Sequence, residues 1–166
     1  MATNFLWFPG TSNNGLLVTA FNLMTTELQS VTNTSVAVSS VIHGTGIVTN
    51  ADTAQGVFAD LFFKVGNPGI GSALSAGAAV TGWFMTSPDG GTTFEPTGAA
   101  LARAADFIIP MPATTITAST TYRTQGQVIL PTLEFKVLIQ NNTGQTLGTG
   151  ATTAPALVCA PYALQY

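Results

Sequence analysis

The chain has 166 residues, a length at which one compact domain is expected, since domains run near 150 residues. It carries 4 Lys or Arg and 7 Asp or Glu, so 7% of its residues are charged while 46% are hydrophobic; soluble domains hold about 25% charge. That hydrophobic content excludes disorder, and four isolated cations, Lys64, Arg103, Arg123 and Lys136, under a net charge of -3, supply no basic stripe for nucleic acid.

In chain order, the first feature is Phe5-Leu6-Trp7-Phe8-Pro9, three aromatic rings ahead of a turn-like Gly10-Thr11-Ser12-Asn13-Asn14-Gly15. Each such ring removes roughly 150 to 250 Å² from water when buried. Either the protein's own sheets or a neighbouring chain must cover them. Residues 1–14 therefore read as an N-terminal arm, with Phe5, Leu6, Trp7 and Phe8 as candidate partner-binding residues, and residues 15–166 as a single domain. The start of the chain lacks the positive region and long apolar core of a secretory signal, and no run approaches the ~18 apolar residues of a membrane helix. Cytoplasmic synthesis without export or membrane contact is expected.

From there the apolar pattern has period two, which is the signature of strands. Strands are predicted at residues 15–22, 25–31, 35–43, 56–65, 78–86, 106–111, 121–130, 133–140 and 156–166. In 56–65, Val57, Ala59, Leu61, Phe63 and Val65 share one face, and Phe58, Asp60, Phe62 and Lys64 the other. Asp60 and Lys64 lie too far apart to pair, so contacts to other strands are expected. Pro110, Pro112 and Pro161 confine their strands to edges or strand ends, because proline cannot donate to a ladder. Residues 96–103 and, more weakly, 72–79 read as short helical stretches. The glycine-rich residues 66–71 match no nucleotide-binding fingerprint, having Leu74 where the last glycine should fall, and read as a mobile loop.

Nine short strands with long loops at 44–55, 66–77 and 87–105 predict an all-β, antiparallel β-sandwich of jelly-roll type. An immunoglobulin-like sandwich is the alternative connectivity, but its Cys…Trp…Cys spacing is missing.

The residues that could carry chemistry are few. His43 stands at a strand end before Gly44, with no nucleophile elbow in the chain. Cys159 lies in the apolar run Ala156-Leu157-Val158-Cys159-Ala160 with no cation beside it, which reads as a packed, inert thiol. The acids Glu27, Asp52, Asp60, Asp89, Glu95, Asp106 and Glu134 are scattered. No catalytic residue, cofactor or clustered metal site is expected, a calcium held by carbonyls and one Asp being left open.

Ser87-Pro88-Asp89-Gly90-Gly91-Thr92-Thr93-Phe94 matches the S-x-D-x-G-x-T-[WF] pattern and resembles the Asp-box turn of sialidase propellers. A sialidase would carry several copies and an arginine cluster; this chain has one copy and two arginines. Asp89 can accept from the following N–H groups while Gly90 and Gly91 take positive φ, so Ser87, Asp89, Gly91 and Thr93 read as a structural turn. The order Trp83-Phe84, residues 87–95, Arg103-Ala104-Ala105-Asp106-Phe107-Ile108-Ile109-Pro110, then residues 133–144 resembles small structural proteins of tailed bacteriophages, over less than half the chain.

The resemblance implies a virion protein assembled in the host cytoplasm: a capsid decoration or cement protein, homotrimeric by analogy, contacting the major capsid protein on the shell surface. It agrees with the composition. A 17.1 kDa fold should expose on the order of 7,700 Å², leaving one charge per roughly 700 Å² where about one per 190 Å² is usual. Covering neighbours are therefore expected. The alternative is a tail or fibre component whose Trp7, Trp83, Tyr122 or Tyr162 stacks on glycans.

Overall fold

The computed structural model describes residues 6–9, 20–42, 58–66, 69–70, 72–94, 103–117, 120–131, 133–148 and 154–165, with backbone alone at 6–9, 69, 117 and 161–165. Twelve strand segments lie among the described residues. The first sheet holds β1 (Leu6–Pro9), β2 (Phe21–Met24), β4 (Phe58–Lys64), β9 (Thr121–Arg123), β10 (Val128–Ile129) and β12 (Ala156–Gln165). The second holds β3 (Val36–Val38), β6 (Ala79–Thr86), β7 (Phe107–Pro110) and β11 (Phe135–Asn142), in the order β3-β11-β6-β7. A small ladder joins β5 (Gly69–Ile70) to β8 (Ile116–Thr117).

In the first sheet β12 runs between β4 and the pair β1/β2, and β4 runs between β12 and the pair β9/β10. With each pair taken as one strand position, both sheets are four positions wide and every pairing is antiparallel. The chain changes sheet at each step from β2 to β3, β4, β6, then from β7 to β9, β10 to β11 and β11 to β12; among the described strands of the two sheets, with the pairs β1/β2 and β9/β10 each counted once, only β6 and β7 follow each other within a sheet. That alternation is jelly-roll connectivity, two sheets closed by Greek-key crossings. The fold is an antiparallel β-sandwich, as the strand pattern predicts.

The inner faces follow from the two-residue period. Ala59, Leu61 and Phe63 of β4 and Leu157 and Cys159 of β12 meet Val80 and Phe84 of β6 and Phe135, Val137 and Ile139 of β11 in one core. Phe84 packs edge-on to Phe135, with ring centroids 5.6 Å apart, and lies 5.4 Å from Phe107. Gly82 makes the space: a Cβ there would overlap the Phe107 ring atoms Cζ, Cε1 and Cε2. At the far end of β11 the buried Asn141 donates from Nδ2 to the carbonyls of Val31 and Gln145 and accepts from Thr143 N–H and Oγ1. The polar plug is satisfied without water.

Several expectations are corrected. Residues 25–31 are no strand: Thr26–Leu28 form a 3₁₀ turn, started by Glu27 Oε2 accepting the Thr25 N–H and ended by Ser30 at φ 60, with Leu28 driven fully into the core. Residues 72–79 are not helical; Leu74 N–H is taken by Thr114 O, and Gly77 at φ 75 turns the chain into β6. Within 66–71, Gly69 and Ile70 are held in the β5–β8 ladder with Ile70 buried, which contradicts a mobile loop there. The predicted strand 121–130 is two segments, parted where Thr124 Oγ1 donates to Gly126 O and Gly126 takes φ 122.

Pro110 sits in β7 at a sheet edge, as expected, but Pro161 does not: β12 is an interior strand. The registers explain the tolerance. On one side β12 pairs β2 over residues 157–159 and β1 over 162–165, so Ala160 and Pro161 fall where one partner ends and the next begins. The helical expectation at 96–103 and the loop at 44–55 fall, apart from Arg103, outside the described residues.

Candidate functional site

The outer face of the second sheet holds a second apolar cluster. Trp83, Met85 and Leu138 are buried there, with Val36, Val38, Phe94 and Ala105 against them. The registers set Val38, Leu138 and Trp83 in one row across β3, β11 and β6. Phe94 and Ala105 belong to the two described ends of the long connection between β6 and β7, which therefore lie against the face.

Two brackets hold the loop. The first is the turn at residues 87–94. Ser87 Oγ donates to Asp89 Oδ1 at 2.7 Å and accepts Gly91 N–H at 2.7 Å. Asp89 Oδ1 accepts the N–H groups of Thr92 and Thr93, and Asp89 Oδ2 accepts Thr93 Oγ1–H at 2.7 Å. Gly90 and Gly91 stand at φ 70 and φ 92. Ser87, Asp89, Gly91 and Thr93 therefore come together as their spacing predicts. The donors from Thr93 backbone, Thr93 hydroxyl and Ser87 hydroxyl hold the Asp89 carboxyl down at about 2. Its described bonds all go to its own turn.

The second bracket is an ion pair that the strand pattern does not predict. Arg103 Nη1 meets both carboxylate oxygens of Asp106 at 2.9 Å, and Nη2 donates to Phe84 O at 2.8 Å. Asp106 Oδ2 also accepts Phe84 N–H at 2.7 Å, and Trp83 Nε1 donates to Arg103 O at 3.1 Å. An ion pair three residues apart thus caps the edge of β6. Its sequence signal was the presence of two of only 11 charges so close together at a strand start.

Beside the first bracket lies a hollow of about 430 Å³ lined by Thr86, Ser87, Pro88, Thr93, Phe94 and Leu133. Lys136 Nζ stands 4.5 Å above the Phe94 ring. A polar cleft of about 260 Å³ separates β7 from the turn at 124–127. Ile108, Ile129 and Leu133 are exposed. On the first sheet the outer face shows Phe58, Asp60 and Phe62 half-buried and Lys64 exposed on β4, with Val158 and Ala160 beside them on β12.

Of the candidate partner-binding residues, Leu6, Trp7 and Phe8 lie in β1, paired antiparallel to Gln165, Leu164 and Ala163 of the same chain; Phe5 and His43 lie outside the described residues. Of the aromatics considered for glycan stacking, Trp83 is 4% exposed and committed to Arg103 O, so it offers no platform. Tyr122 packs against the main core, and burial raises its hydroxyl. The ring positions of Trp7 and Tyr162 lie outside the description. Cys159 is fully buried, and desolvation pushes its thiol up to about 12, which makes it a poor nucleophile. Among the described residues no three His, Cys, Asp or Glu side chains form a metal-holding group, and no helix is long and apolar enough to cross a membrane.

What these residues define is a jelly-roll sandwich with a strapped outer face and a charge-poor exterior. No family model, curated protein or solved structure matches the chain.

Proposed function

We propose that the protein is a non-enzymatic structural component of a virion, a capsid decoration protein that self-associates and bridges major capsid subunits on the shell surface. The observation that carries the reading is the sparsity of charge, 11 Asp, Glu, Lys and Arg in 166 residues, on a sandwich that also exposes Ile108, Ile129 and Leu133. A solitary soluble domain avoids such a surface; an interface favours it, because charged residues are depleted where partners meet. The jelly roll supports the reading as analogy, since it recurs in viral shell domains as well as in lectins and cupins. Trimeric assembly rests on the likeness to decoration proteins.

In this reading the mechanism is added contact area. A subunit that spans several shell subunits contributes interface free energy that is lost when they separate, so the bound form of the shell is favoured by mass action and multivalency. The test is copy number per particle. Hundreds of copies in fixed ratio to the major shell protein are expected, with stripped particles breaking at lower temperature than intact ones. About six to eighteen copies would place the protein in a tail or fibre, and unaltered heat resistance of stripped particles would remove the clamping role.

A further inference from the structure

The polar cleft of about 260 Å³ between β7 and the turn at residues 124–127 has one wall made largely of backbone. Met111 N–H bonds Ala78 O, and the register sets Ile109 opposite Val80 and Phe107 opposite Gly82, so these residues direct their amides and carbonyls at β6. By the alternation of an antiparallel ladder, Ile108 directs its N–H and C=O the other way, toward the open edge that the cleft occupies. Neither group has a partner among the described residues. Ile108 is also 51% exposed, which leaves an apolar patch beside these polar groups.

The opposite wall is a turn anchored to the sandwich. Thr124 N–H bonds Leu61 O at 3.0 Å, Thr124 Oγ1 donates to Gly126 O at 2.7 Å, and Gly126 takes φ 122. Gln125 and Gln127 flank Gly126, are exposed and line the cleft. Their side-chain amides make no hydrogen bond to a described residue. The one ionisable side chain in the lining is Asp106, whose carboxylate is held by Arg103 at 2.9 Å and by Phe84 N–H.

We infer that this cleft binds one neutral hexose ring. The Ile108 N–H, the Ile108 carbonyl and the two glutamine amides bring uncommitted donors and acceptors together, and a sugar hydroxyl both donates and accepts. An acidic sugar is opposed by Asp106, with no cation in the lining to offset it, and an apolar ligand would leave these groups unmet. The volume falls below the roughly 300 to 1,000 Å³ of sites for drug-sized ligands, which suits a single ring. An extended peptide is the competing ligand, because it would add to the β7 edge as a strand. That ladder ends at Ile108: Pro110 has no N–H to offer, and on the other side Asp106 N–H and Phe107 both fall on Gly82, a bulge that breaks the regular spacing. With the turn already fixed, a sugar has only the glutamine side chains to order. The inference goes beyond the proposed function and does not rest on it.

The experiment is saturation-transfer NMR of the purified protein with glucose, galactose and mannose, their methyl glycosides, glucuronate, and the blocked peptide N-acetyl-trialanine amide. At least one neutral hexose is expected to receive saturation at millimolar concentrations. Binding of a methyl glycoside identifies the ligand as the end of a glycan chain, and binding of the free sugars alone identifies it as a monosaccharide. Gln125→Ala and Gln127→Ala are each expected to weaken binding by about 2- to 12-fold, the factor set by one neutral hydrogen bond, with thermal unfolding at the wild-type temperature. No transfer to any neutral hexose, binding that neither glutamine variant alters, or tighter binding of glucuronate or of the peptide would overturn the inference. None of these outcomes bears on the copy number in particles, so the virion reading stands or falls separately.

Discussion

Gly82 is the position at which the core leaves the least freedom. It lies in β6 opposite Phe107 of β7, and a methyl group there would overlap three atoms of the Phe107 ring. That ring is 4% exposed and packs on Phe84, which in turn packs on Phe135, so it cannot move without disturbing the centre of the sandwich. Gly82→Ala should cost the ~1 to 3 kcal/mol typical of overpacking. For a domain of this size each kcal/mol shifts Tm by about 2 to 4 °C, so a fall of roughly 2 to 12 °C is expected in calorimetry, with a matching loss in urea midpoint. Phe107→Leu alone should also destabilise, by leaving space, yet in the Gly82→Ala background it should restore part of the loss. A Gly82→Ala protein as stable as wild type, or two substitutions with additive effects, would refute the packing argument, since residues in contact must couple.

Further outcomes follow from other parts of the molecule. Asn141→Leu takes from the buried Thr143 N–H its acceptor, while the carbonyls of Val31 and Gln145 keep Leu147 N–H and Thr143 Oγ1 as donors, so it should cost about 1 to 3 kcal/mol in urea unfolding, the range for one buried group left unmet. Cys159 should resist alkylation in the native protein and react only on unfolding. Its folded thiol keeps its proton up to about 12 against an ordinary value of 9.0; between those values the unfolded chain ionises and the folded one does not, so stability should fall as pH rises through that window. Cys159→Ala should flatten that part of the pH profile. Asp89→Asn should speed hydrogen exchange at the Thr92 and Thr93 amides, whose acceptor is Asp89 Oδ1. In the wild type those amides should lose protection only as pH drops below the usual carboxylate range toward 2, because the folded carboxyl titrates lower than the unfolded one.

The parts of the fold legible in sequence are those where one face is wet. β4 and β11 alternate apolar with charged or amide residues, and both strands appear within two residues of their expected ends. The turn at residues 87–94 was legible for another reason: its hydrogen bonds are local, so spacing alone fixes them. Elements held by distant partners were not. β5 and β8 are two residues each and exist through their pairing with one another. Thr26–Leu28 carries strand-like Thr and Leu, but the Glu27 carboxylate captures the backbone first. Trp83 shows the same limit at the candidate surface. Alternation assigns it to an outer face, and only the loop that returns Phe94, Arg103 and Ala105 over it decides that it is buried rather than offered to a ligand.

The most direct test of the account is the sedimentation of the purified protein over a range of concentrations. A surface so poor in charge should associate, giving oligomers that persist into the micromolar range and bind empty shells. A protein that stays a dispersed single chain at high concentration, with no affinity for any shell, would contradict it.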